Sequence, residues 1–242
     1  MYNTNNKEYN SMKFLKILFA GLILTLCGHS VYAMSIISPG DSILGGQSNG
    51  TNFLIGIEGF DQDVNNWPGA ESPDHLIDGV GQKYLNFGKL NTGAIITPSL
   101  GSSIVDSIQF WTANDVEPRD PTSYELWGTN DAISGTSIPF SIFSAISTGS
   151  LALPSSRNRG GVSSLRARKS QTVAFENFSA YSSYLVLLPT VKRAARANSM
   201  QLAEVQLFGE SASVPASVPA PATLILFGLG LVGLVWSRRK KA

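Results

Sequence analysis

The amino-acid sequence predicts an all-β fold, a jelly roll or β-sandwich, set between an N-terminal signal peptide and one short C-terminal transmembrane helix. Three observations predict it. From residue 34 to about residue 209, short runs of β-branched, aromatic or alternating residues are separated by Gly, Pro, Asn, Asp and Ser. Helical periodicity is nearly absent from that stretch. Two apolar blocks stand at the ends of the chain, against a middle of ordinary soluble composition.

The first element is the signal peptide, residues 1–33. Lys13 and Lys16 supply its positive region, and residues 14–28 are apolar apart from Lys16 and Thr25. Val31-Tyr32-Ala33 then fits a small-x-small cleavage site that leaves Met34 as the new terminus. Residues 2–11 are polar and Asn-rich, which suits a translation start at Met12. An uncleaved anchor and a lipoprotein at Cys27 are the alternatives, the second opposed by the bulky Leu26.

The β-domain follows, residues 34–210. Strands are expected at 52–58, 84–87, 94–97, 104–112, 123–128, 138–144, 172–178, 184–189 and 201–208. Turn chemistry separates them, notably at Pro68-Gly69, Asp78-Gly79, Asn130-Asp131 and Gly160-Gly161. Many short strands with regular breaks fold as two packed sheets. Residues 211–221 are small and Pro-rich, a semi-extended linker.

The transmembrane helix is expected at 222–236. At about 1.5 Å per residue it covers roughly 22 Å, less than the roughly 20 residues that span a bilayer comfortably. It therefore crosses by thinning the bilayer or by borrowing its flanks. The tail, 237–242, holds Arg238, Arg239, Lys240 and Lys241, which anchor this end in the cytoplasm. With the signal removed, the N-terminus lies outside and the C-terminus inside.

Composition limits the chemistry. The chain has 242 residues, 14% of them charged, with 18 Lys+Arg against 17 Asp+Glu. Its one Cys, Cys27, lies in the signal, so disulfides, Cys metal sites and Cys nucleophiles are excluded from the middle. His75 is the one histidine there, which excludes His-cluster metal sites.

Val218-Pro219-Ala220-Pro221, the Gly/Leu-rich run behind it and the terminal Arg/Lys cluster together resemble the PEP-CTERM sorting signal of Gram-negative bacteria. Ala220 stands where that family carries Glu. The resemblance implies Sec export, temporary anchoring in the inner membrane, and processing by an exosortase that passes the protein to the cell surface or exterior. Val218, Pro219, Pro221 and the cations 238–241 would be the sorting residues.

Three further stretches resemble galactose-binding-like, discoidin-type domains: His75-Leu-Ile-Asp-Gly79 with Lys83-Tyr-Leu-Asn-Phe87, Ser123-Tyr-Glu-Leu-Trp-Gly-Thr-Asn130, and Ala203-Glu-Val-Gln-Leu-Phe-Gly209. In that fold, loops at one end of a jelly roll bind sugars or other surface ligands. The resemblance also implies a structural Ca²⁺. Asp78 and Glu204 would supply side-chain oxygens, and His75, Val80, Lys83 and Ala203 backbone carbonyls. Ca²⁺ accepts such a mixed set of six to eight hard oxygens. The alternative is that the Lys83 ammonium pairs with Asp78 or Glu204 in place of the ion.

Other residues are candidates by chemical type. Trp67 either stacks on a sugar ring or caps the core. In the loop 114–121, Asp115 and Arg119 suit hydroxyl recognition; alternatively Arg119 pins the loop against Asp115 or Asp120. Residues 157–196 hold 8 bases and only Glu176, while 58–131 hold 12 acids and 3 bases. The basic stretch either attracts an acidic exopolysaccharide or is a solvated loop. Between 34 and 212, 16 acids outnumber 11 bases, which argues against nucleic acid as a partner.

Two functions compete. One is an exported, non-catalytic surface or matrix protein that binds polysaccharide through its loops. The other is an extracellular hydrolase, which needs two carboxyl groups about 5 to 9.5 Å apart across a glycosidic bond; no motif singles out such a pair.

Overall fold

The structure is a computed structural model that describes residues 33–212. The expected signal peptide up to residue 32 and the transmembrane helix lie outside the described residues, as do Val218, Pro219, Pro221 and the basic tail.

Two antiparallel sheets face each other. The larger runs, edge to edge, Ser137–Pro139, Asn52–Ile55, Ser42–Ser48, Thr92–Thr97, Ser183–Leu188, Ser123–Thr129 and Ser144–Ser150. The smaller runs Met34–Ser35, Glu204–Ser211, Ser103–Trp111 and Ser170–Ala174. Two strand pairs complete the domain: Tyr84–Asn86 with Met200–Leu202, and Ile57–Glu58 parallel to Asn66–Trp67. The helical elements among the described residues are 3-10 turns of three or four residues, and none is long and apolar enough to cross a membrane.

Alternation along each strand builds the core. Ala94, Ile96, Tyr184, Val186 and Leu188 point from the larger sheet toward Val105, Ile108, Phe110, Val205 and Leu207 of the smaller one. The opposite face of the larger sheet is also covered: Ile95, Leu185 and Leu187 pack with Phe53, Ile138 and Phe143. Burial on both faces explains why Ser183–Leu188 is apolar almost without a break. In Ser103–Trp111 the inward positions change parity between Val105 and Ile108. There the pairing jumps from Phe208 with Ser107 to Gly209 with Val105, a bulge that leaves Asp106 unpaired and resets the faces.

Most expected strands form, with shifted ends. The stretch 52–58 breaks at Gly56 into Asn52–Ile55 and Ile57–Glu58, and 138–144 becomes Ser137–Pro139 followed by a 3-10 turn at Phe140–Ile142. Ser42–Ser48 is not among the expected strands; it holds Gly45-Gly46 at its centre. Those glycines permit close approach: a Cβ on Gly45 would lie 2.3 Å from Pro73 Cγ, and one on Gly46 2.3 Å from the Leu54 carbonyl oxygen.

Candidate functional site

The turn that follows the 3-10 segment Pro73–Leu76 positions the first cluster. Leu76 and Ile77 are buried and anchor it to the core. The chain then reverses at Asp78-Gly79, where Gly79 has φ +75°, a conformation that favours glycine. Asp78 Oδ1 accepts the Val80 N–H at 2.8 Å, closing an Asx turn. Glu204 enters from the start of the last strand. Its neighbours Val205 and Leu207 are core residues, yet Glu204 itself is only 1% exposed.

Both oxygens of Glu204 meet the Gly79 N–H, at 3.2 and 3.1 Å. His75 Nδ1 lies 3.8 Å from Asp78 Oδ2, too far for a hydrogen bond, and both atoms are buried without a hydrogen-bond partner. Burial raises the Asp78 pKa, opposed by the Val80 N–H and by His75. Burial pushes Glu204 up to about 9; the Gly79 N–H offsets part of this, and the Asp78 charge adds to it.

A buried and a half-buried carboxyl group thus share a corner with no Lys or Arg paired to either among the described residues. A hard divalent cation fits this set: it would use the orphaned Asp78 Oδ2 and remove the penalty on Glu204. No group of three His, Cys, Asp or Glu side chains suited to a metal gathers among the described residues. Backbone carbonyls would therefore have to supply most of the shell.

The alternative in which Lys83 takes the place of the ion is not realised. Lys83 Nζ binds Asp115 Oδ2 at 2.8 Å and Glu71 Oε1 at 3.2 Å, with a side chain only 8% exposed. Lys83 and Glu71 also line a second feature, a cavity of about 190 Å³, together with Gln82, Asn114, Gly160 and Gly161. Asp115 is held from behind, its carbonyl accepting from Gln201 Nε2 at 3.1 Å. Glu71 and Gln82 carry no sequence signal and Asn114 only that of its loop, since the three come together only through the fold.

Two other candidates are corrected. Trp67 does not present a face to solvent. Its backbone pairs beside Glu58, and its ring packs edge-on against Tyr84 at 5.9 Å within the core. Arg119 pairs with neither Asp115 nor Asp120; its Nε donates to Asn198 Oδ1 at 2.9 Å. The loop's ion pair is made instead by Asp120, whose fully buried carboxylate takes two bonds of 2.7 Å from Arg157.

The domain is similar in fold to the family 32 carbohydrate-binding module of Clostridium perfringens NanJ, solved with galactose. Identity is 11% and the TM-score 0.47, over 73% of this chain and 99% of that one. It is likewise similar to a Clostridium perfringens family 32 module, CpGH89CBM32-5, in complex with GalNAc-β-1,3-galactose (12%, TM-score 0.45, 73% and 100%). A third is the family 32 module of Streptococcus pneumoniae EndoD (10%, TM-score 0.45, 73% and 100%). No curated protein matches the chain. At the C-terminus the match is to a defined signal: residues 217–240 carry the PEP-CTERM protein-sorting motif.

Proposed function

We propose that this chain is an exported, exosortase-sorted, non-catalytic protein of the cell surface or extracellular matrix that binds polysaccharide at the Lys83 cavity. The sorting motif supports the address. The binding role rests on one observation, a buried ammonium held by two carboxylates beside an open cavity whose rim carries Glu71, Gln82 and Asn114. Lys83, Asn114 and Gln82 offer donors there and Glu71 offers an acceptor, with Lys83 and Glu71 positioned by their ion pair before a ligand arrives. A hydrolase is disfavoured because both carboxylates already bind Lys83, so neither is a free acid or base. Calcium held by Asp78 and Glu204 would be structural.

The test is a glycan array probed with the full chain in detergent, with and without calcium, alongside Gln82→Ala and Asn114→Ala. Binding that falls at least tenfold in these variants, at unchanged melting temperature, supports the reading. An array without binding, binding indifferent to both substitutions, or release of sugar products overturns it.

A further inference from the structure

Beyond the Lys83 cavity, the loop that precedes the edge strand Ser170–Ala174 forms a second cavity, of about 340 Å³. Arg159, Ser163, Ser164, Arg166, Arg168 and Lys169 line it. Its four cations have no ion-pair partner among the described residues, where the Lys and Arg pairs involve only Lys83, Lys89, Arg157 and Lys192. Mutual repulsion is felt inside the cluster: the Lys169 pKa is lowered, first by desolvation and then by Arg168, Arg166, Arg157 and Arg159.

The backbone beneath these side chains is fixed. Ser163 Oγ donates to the Arg159 carbonyl at 2.6 Å, and the Lys169 carbonyl accepts from the Thr112 N–H at 3.0 Å. Buried Asn158 donates through Nδ2 to the Thr112 carbonyl at 2.7 Å. The charged heads are therefore free while their attachment points are held, as in a preorganised anion site.

We infer that this cavity binds the carboxylate groups of an acidic polysaccharide. Guanidinium forks match carboxylates bidentately, and two serines beside them suit ring hydroxyls. A concave site of this size holds a sugar unit or two rather than a flat phosphate array. No aromatic side chain lines it, which removes the stacking platform that single-stranded nucleic acid uses. The inference deepens the polysaccharide-binding reading and rests on it for a domain displayed outside the cell, but it depends on different residues.

The probe is a hyaluronate decasaccharide, added to the full chain in detergent. Maltodecaose, a single-stranded 20-nucleotide DNA and vesicles containing phosphatidylglycerol serve as comparators. Hyaluronate should bind with an affinity that falls as salt rises, and maltodecaose should not compete at this site. Arg166→Gln combined with Arg168→Gln should weaken hyaluronate at least tenfold at unchanged melting temperature. Arg193→Gln combined with Arg196→Gln changes net charge equally away from the cavity and should alter it less than twofold. Absent hyaluronate binding, equal losses in the two double variants, or tighter binding to DNA or vesicles would each overturn the proposal. Hyaluronate binding that survives Gln82→Ala and is lost with Arg166 and Arg168, beside a negative array of neutral glycans, would retain this site and discard the Lys83 reading.

Discussion

The carboxylate of Glu204 receives the backbone N–H of Gly79 at both of its oxygens, 3.2 and 3.1 Å away, across a separation of 125 residues. The contact ties the last strand to the Asp78 turn and buries an acid whose natural counter-charge would be a cation. Without one, folding favours the protonated form, since the folded pKa of about 9 stands above the ordinary 4.5. Raising the pH through that interval removes a proton that the folded state binds more tightly than the unfolded chain does. Metal-free stability should therefore decline between those two values and level off above. Asp78, which burial also raises, acts in the same direction in the same corner.

Calcium should reverse that decline. It competes with the proton for Glu204, so its affinity should rise with pH while it raises the melting temperature. Glu204→Gln keeps the shape and removes the charge. It should flatten the pH profile and abolish the calcium response together. A calcium-dependent melting shift that persists in Glu204→Gln would place the ion elsewhere.

Asp120 and Arg119 are one residue apart and should behave oppositely. Asp120→Ala leaves Arg157 without its bidentate partner in a buried setting and should cost about 3 to 5 kcal/mol in urea unfolding. Arg119→Ala removes a single bond to Asn198 and should cost about 1 kcal/mol.

Trp67→Ala should act through the core. The ring packs on Tyr84, so its loss should destabilise the fold by about 3 to 5 kcal/mol. Glycan affinity, measured below the lowered melting temperature, should stay within about twofold of the parent, because a tenfold loss would mean 1.4 kcal/mol of direct contact.

What could be read from the sequence follows the range of each signal. Asp78-Gly79 is a local turn signature, and the Ser103–Trp111 strand carries enough β-branched and aromatic residues to show itself. Trp67 sits in a two-residue strand, too short for a period that would reveal which way its ring points. Lys83 could be seen as a residue near the turn, but the partner that fixes its ammonium lies 32 residues away at Asp115. The basic composition of 157–169 was visible, whereas the cavity exists only because the backbone folds Arg159 toward Lys169. Ser42–Ser48 shows no alternation to read because its central Gly45 and Gly46 make room for Pro73 and the Leu54 carbonyl and offer no side chain to carry a period.

The Asp78–Glu204 corner and the basic loop are joined, and this carries the last prediction. Val80, next to the Asp78-Gly79 turn, bridges to Ser164, and the Gly81 N–H donates to the Ser163 carbonyl at 2.7 Å. Ser163 and Ser164 line the basic cavity, while Gly160 and Gly161 of the same loop line the Lys83 cavity. A cation that draws Asp78 toward Glu204 would thus fix the backbone on which both cavities are built, and loosening the turn would let that loop spread. Removing calcium from the parent should weaken hyaluronate binding severalfold without abolishing it, since the arginines remain. In Glu204→Gln the affinity should match the metal-free value whether or not calcium is present. Isothermal titration of parent and variant in each condition reads this directly: equal calcium dependence in the two proteins would show that the turn and the loop are not coupled through Glu204.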